Sequence, residues 1–96
     1  MSKKRDYMRK ITTAIDTLAV INRSNMTVNE LLFAISRTDI EEPFVNLTNE
    51  DNGEFHFGFA DGFWPIRDRA LKVVRFGVWV DDETGSASIE VVAKGA

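Results

Sequence analysis

The sequence predicts an α+β domain in which an N-terminal helical hairpin packs on a four-stranded antiparallel β-meander. The first observation is the helical spacing of apolar residues through residues 4–38. The second is an alternation of side-chain character through residues 54–93, where most of the aromatic residues lie. The two patterns occupy separate parts of the chain, and this segregation is typical of the α+β class.

The first predicted helix covers residues 4–21 and is marked by one apolar stripe. Four residues at spacings of three and four make this stripe: Met8, Ile11, Ile15 and Leu18. The polar run at residues 22–25 ends the helix. Thr27 stands three residues before Glu30, which is the signature of a capping box opening a second helix that ends near Arg37. The short connection predicts a helical hairpin.

Four strands are predicted in the C-terminal part of the chain, over residues 44–48, 54–59, 71–80 and 87–93. Between the second and third strands, Gly62 and Pro65 interrupt the β pattern. Pro65 suits the first turn of a short helix that ends at Arg69. In the second strand, alternation places three phenylalanines on one face and His56 and Gly58 on the other.

Length and composition restrict the class of protein. Ninety-six residues, 44% of them hydrophobic, form one domain over residues 1–96 that can build a core without disulfides. No stretch reaches the ~20 apolar residues that span a bilayer, so we expect no membrane partner. The chain has no cysteine and no apolar signal core after its basic N-terminus, so we expect a cytoplasmic protein.

The net charge of −3 is unevenly distributed along the chain. Residues 1–10 and 67–75 are basic, whereas residues 39–54 carry six carboxylates and no basic residue. A surface with two signs of charge favours oriented pairing with a partner. The simpler interpretation is that these charged side chains only form solvated, exposed faces.

Side chains that carry catalytic chemistry are nearly missing. His56 is the single histidine, and a general base also needs a nucleophile or substrate and an orienting partner, which the sequence does not indicate. The carboxylates at residues 50–51 and 81–83 lie at predicted turns and lack the spacing of a calcium loop. We therefore expect no catalytic residue, no metal and no cofactor, and we interpret His56 as a solvent-facing strand residue.

Aromatic and basic residues around the third strand form the predicted partner-binding surface: Phe63, Trp64, Arg67, Arg69, Arg75 and Trp79. Tryptophan and arginine are enriched among the residues that dominate binding energies at interfaces. Phe63 and Trp64 follow Gly62 and precede Pro65, so we expect their rings to project from a bend. The competing interpretation is that the tryptophans close the hydrophobic core.

These observations favour a small non-enzymatic module that binds another protein. In size, acidity and lack of catalytic residues, the chain is similar in profile to compact inhibitors and adaptors of phages and mobile elements, such as anti-CRISPR or anti-restriction proteins. No motif carries this likeness. The alternative is a nucleic-acid-binding regulator that uses the basic N-terminus and the strip at residues 67–75. A minimal hydrolase centred on His56 is the least favoured hypothesis.

A homodimer is expected over a monomer. In a meander, the terminal strand at residues 86–93 would form a sheet edge protected only by Glu90 and Lys94. A two-fold interface would cover that edge or the face that carries Trp79.

Overall fold

The computed structural model describes residues 3–18, 26–40, 43–80, 83 and 86–95. Within these residues the chain forms three helices and four strands. The helices are α1 (Lys3–Leu18), α2 (Val28–Ser36) and α3 (Ile66–Arg69). The strands are β1 (Phe44–Asn49), β2 (Phe55–Phe59), β3 (Lys72–Val80) and β4 (Ala87–Lys94). Helices together with a four-stranded sheet confirm the α+β class.

The sheet is mixed, so the predicted antiparallel meander is wrong. The strand order is β2-β1-β4-β3, with β1 and β4 parallel and the two outer pairs antiparallel. β4 buries every second residue along its length. A strand this apolar gains most from a central position, where it has a neighbour on both sides. β4 is therefore interior, and the expectation that it forms a sheet edge is also wrong.

The hydrophobic core lies between the helices and one face of this sheet, called here the covered face. Residues from both sides share one buried cluster, which includes Ile11, Leu31 and Ile35 from the helices and Val45 and Ile89 from the sheet. On β3, Phe76, Val78 and Val80 pair with residues of β4 that point to the covered face. Val74 continues the same alternation in the sequence, but it lies at a register shift and is exposed. Such a bulge changes which face the preceding residues occupy.

The second helix begins as its sequence predicts. The Thr27 hydroxyl accepts a hydrogen bond from the Glu30 amide, and the Glu30 carboxylate accepts one from the Thr27 amide. α1 and α2 contact each other. The connection between them, residues 19–25, lies outside the described residues, so the helical hairpin stays a prediction. No helix in the described part of the chain is long and apolar enough to cross a membrane.

The two outer strands of the sheet differ in how far their free edges are covered. The segment before α2 bonds to the start of β3, with the Val28 amide 2.8 Å from the Leu71 carbonyl and the Val73 amide 2.9 Å from the Met26 carbonyl. This covers one end of the β3 edge. β2 is last in the strand order on the other side, and no described strand pairs with its outer edge.

A charge cluster connects α1 to the end of α2. Lys10 Nζ lies 2.9 Å from Asp39 Oδ1 and 3.4 Å from Asp6 Oδ2. Arg9 also donates a hydrogen bond to Asp6. The hydrogen bond from Lys10 lowers the pKa of Asp39, and the hydrogen bond from Arg9 is the main cause that lowers the pKa of Asp6. The stability that these lowered values contribute is present above the ordinary pKa of 3.8 and is lost as the pH falls through the folded-state values.

Replacing Lys10 tests this cluster. Lys10→Gln should lower the melting temperature at neutral pH by a small amount, because both carboxylates are near the surface. The difference from the parent should shrink as the pH falls below 3.8, since protonated Asp6 and Asp39 no longer favour the lysine. Thermal melts across this range measure it, with Lys94→Gln as the matched exposed lysine. A melting difference independent of pH would show that the cluster does not stabilise the helices.

Candidate functional site

The strand register separates the sheet residues into two faces. Residues directly opposite each other on paired strands point to the same side. Leu47 pairs with His56 and Val45 with Gly58, so His56 and Gly58 belong to the covered face. Thr48, Asn46 and Phe44 pair with Phe55, Phe57 and Phe59 on the other side, called here the open face. None of the described residues on the open face is buried.

Four phenylalanine rings form a continuous strip on the open face, and we call Phe44, Phe55, Phe57 and Phe59 the aromatic strip. The Phe44 ring lies 5.8 Å from Phe57 and 5.6 Å from Phe59, and Phe55 lies 5.7 Å from Phe57. The three β2 rings remain 58%, 61% and 46% exposed. Contacting aromatic rings that stay this exposed present a large apolar surface to solvent.

The opposite end of the open face is basic. Arg75 pairs with Val92, and Lys72 pairs with Lys94, which places these three cations on one side of the sheet. Trp79 lies on the same face of β3 and is 58% exposed. The open face therefore carries aromatic side chains at both edges and positive charge at one corner, formed by Lys72, Arg75 and Lys94.

The structure divides the predicted partner-binding residues between the two sides of the sheet. Trp79 and Arg75 point to the open face. The segment of residues 63–69 runs on the covered side, because Asp68 of α3 contacts His56. Phe63 is 88% exposed there, and Arg67 is exposed, whereas Arg69 is partly buried. These six residues therefore do not form one surface.

Trp64 is buried, so the expectation that its ring projects into solvent is wrong. Its relative exposure is 3%, and its indole nitrogen donates a hydrogen bond to the Phe59 carbonyl at 2.9 Å. The turn after β2 reverses the chain, with the Gly62 amide bonded to the same carbonyl. Gly58 leaves room for the ring, since a Cβ there would lie 3.7 Å from the indole. Trp64 thus closes the core beneath β2.

His56 has an orienting partner that the sequence did not indicate. Its Nδ1 lies 2.5 Å from Oδ2 of Asp68, whose side chain is buried, while the His56 side chain is half exposed. The indole of Trp64 lies edge-on to the imidazole, with ring centroids 6.0 Å apart. Asp68 is twelve residues away in a four-residue helix, and no local pattern connects the two. Only the position of α3 under β2 brings them together.

A shallow cavity of about 240 Å³ adjoins this pair. It is lined by Leu47, Asn49, Glu54, Phe55, His56, Arg67 and Asp68. These residues include a histidine held by a carboxylate but no hydroxyl, thiol or amine that would act as a nucleophile. Arg67 Nη2 lies 3.8 Å from the Glu54 carboxylate, which offsets its charge. Among the described residues, no three histidine or acidic side chains are grouped as metal ligands would be.

The role of Trp64 is tested by truncation. Trp64→Ala should lower the free energy of unfolding by about 3–5 kcal/mol, because it leaves a cavity in the core and removes a buried hydrogen bond. Its neighbour provides the control, since Phe63→Ala removes an exposed ring and should change stability by less than about 0.5 kcal/mol. Urea unfolding curves measure both values. Equal small effects would show that Trp64 is not part of the core.

A double-mutant cycle tests the His56–Asp68 pair. His56→Ala should cost roughly 1–3 kcal/mol in unfolding free energy, because it leaves a buried carboxylate without its partner. The same change in an Asp68→Ala background should cost much less. The coupling energy measured by urea unfolding should exceed about 0.5 kcal/mol. Additive effects would mean that the pair does not connect α3 to β2.

No family model matches this chain. Neither a curated protein nor a solved structure is detectably similar to it. What the site does has to be inferred from its own geometry and chemistry.

Proposed function

We propose that this protein is a small non-enzymatic module that binds another protein through the open face of its sheet. The observation that carries the proposal is the aromatic strip, whose rings contact one another and remain exposed. A fully exposed phenylalanine side chain presents about 200 Å², so the three β2 rings alone expose roughly 330 Å². Apolar patches of about this size on a single chain commonly mark binding sites.

The charge on the open face indicates the chemistry of the partner. The basic corner of Lys72, Arg75 and Lys94 complements carboxylates, and the aromatic strip complements apolar side chains. We therefore infer a partner surface on which apolar residues lie beside acidic ones. Trp79 and Arg75 are of the residue types that dominate interface energies, and both are exposed on this face.

An inhibitor or adaptor role suits these properties. A chain of this size with an acidic balance and a single histidine has the profile of the compact inhibitors made by phages and mobile elements. An inhibitor or adaptor that covers a surface of its target requires an exposed binding face and no catalytic residue. His56 belongs to the other side of the sheet, where its contact with Asp68 gives it a structural role.

Nucleic acid is the alternative partner, because exposed aromatic rings beside cations also bind single strands by stacking and phosphate contacts. Two observations favour protein. The strip at residues 67–75 is divided between the two sides of the sheet, since Arg75 points to the open face and α3 lies on the covered side. In α1, Arg9 and Lys10 both bind Asp6, which reduces the positive charge that the N-terminus offers to phosphates.

Exposed-ring variants test the proposal with a matched control. Trp79→Ser and Phe55→Ser should each weaken binding of the captured partner by about 30-fold, the effect of losing a residue worth about 2 kcal/mol. Phe33→Ser changes a ring on α2 that is 51% exposed, close to the 58% of Trp79, and should bind like the parent. His56→Ala should also keep its affinity. The measurement is titration calorimetry with the partner purified from nuclease-treated lysate of the source organism.

Several results would contradict the proposal. If the open-face variants bind like the parent, the open face is not the binding site. If Phe33→Ser loses as much affinity as they do, the loss is not specific to the open face. Loss of the partner on nuclease treatment, together with affinity that falls steeply with salt, would support the nucleic-acid alternative. Loss of function in a His56→Ala variant that is still folded at the assay temperature would point to catalysis.

A further inference from the structure

The outer edge of β2 has backbone groups positioned to pair with another strand. The Asn49 amide bonds to the Glu54 carbonyl at 2.8 Å, and the Ala60 amide bonds to the Pro43 carbonyl at 3.0 Å. Hydrogen-bonded and non-hydrogen-bonded pairs alternate along an antiparallel ladder. Residues 54, 56, 58 and 60 therefore bond toward β1. The amide and carbonyl groups of Phe55 and Phe57, and the amide of Phe59, point outward.

Except at Phe59, whose carbonyl already accepts hydrogen bonds from the Gly62 amide and the Trp64 indole, this edge lacks the features that normally prevent strand pairing. Proteins protect edge strands with lysine, proline or a covering segment. β2 reads Phe-His-Phe-Gly-Phe and contains no lysine or proline. The other edge of the sheet is partly covered, because Met26 and Val28 bond to residues at the start of β3. Among the described strands, β2 therefore has the edge that is more available for pairing with another strand.

We propose that a second copy of this chain pairs with β2 in antiparallel orientation about a two-fold axis at Phe57, joining two sheets into one of eight strands. The sequence of β2 is self-complementary in this register. Phe55 would lie opposite Phe59 of the second copy on the open side, and His56 would lie opposite Gly58. The latter is a non-hydrogen-bonded pair, in which facing residues approach most closely, and Gly58 places no side chain of its own opposite the imidazole.

The apolar area beside this edge is sufficient for a small specific interface. Above the edge lie the β2 rings of the aromatic strip, with roughly 330 Å² exposed. Below it runs the segment that carries Phe63 and Ile66, which are 88% and 84% exposed. Together they offer at most roughly 650 Å² per chain, or about 1,300 Å² for two, which is near the lower end of specific interfaces. We therefore expect a dimer that dissociates in the micromolar range.

This pairing and the proposed protein partner share the β2 rings, but each has its own readout. Edge-to-edge association covers part of those rings, places two aromatic strips side by side and leaves Trp79 and the basic corner accessible. A mass measurement reports the dimer and a partner titration reports the binding function, so the failure of either proposal can be recognised separately.

Mass and cross-linking together test the pairing. Analytical ultracentrifugation of the full chain should show a shift from 10.9 kDa to twice that mass as the concentration rises through the micromolar range. The parent has no cysteine, so Phe57→Cys introduces a single thiol at the proposed axis. Facing Cα atoms in a hydrogen-bonded pair are ~5.5 Å apart, within the range that a disulfide spans. Mild oxidation should cross-link the Phe57→Cys variant at least ten-fold faster than the Trp79→Cys variant.

Trp79→Cys is the matched control because residue 79 is similarly exposed but lies on the opposite edge strand. A second variant, Phe57→Lys, should weaken dimerisation at least ten-fold by placing like charges at the axis. A parent that stays at 10.9 kDa at every concentration would overturn the proposal. A dimer in which both cysteine variants cross-link equally, or which Phe57→Lys leaves unchanged, would overturn pairing through β2.

Discussion

The parallel pairing of β1 with β4 is the constraint on which the rest of the structure depends. Parallel neighbours cannot be joined by a tight turn, so the chain between them has to leave the sheet and cross it. The crossing segment contains α3, on the same side of the sheet as the buried faces of α1 and α2. This side holds the core, and none of the described residues on the other face is buried. This one-sided arrangement of the helices leaves the aromatic face exposed.

The crossing segment also explains why β2 is held in place although its rings are exposed. An edge strand with its phenylalanines facing solvent gains little from burial of its own side chains. Its support comes from the covered side, where Trp64 fills the space at Gly58 and bonds to the Phe59 carbonyl. The contact between His56 and Asp68 adds a second attachment. These contacts orient the aromatic strip without covering it.

Local patterns in the sequence predict the helices and strands of this fold but not which of them lie next to one another in space. The capping box at Thr27 and the short helix after Pro65 were predictable because both follow from the nearest few residues. The pairing of β1 with β4 joins residues more than forty positions apart, and no local pattern encodes it. Alternation in β2 also groups its residues by face without showing which face is buried. The burial of Trp64 and the contact of His56 with Asp68 depend on how the strands pair, which the local sequence pattern does not show.

Solvent accessibility in solution tests whether helices cover one face of the sheet while the aromatic strip stays open. The measurement is paramagnetic broadening of side-chain NMR signals by a soluble gadolinium chelate, at a concentration where the chain is monomeric. Strong broadening is expected for the rings of Phe55, Phe57 and Trp79, and little for the Trp64 indole and the Ile11 methyl groups. Protected phenylalanine rings together with a broadened Trp64 would contradict this arrangement.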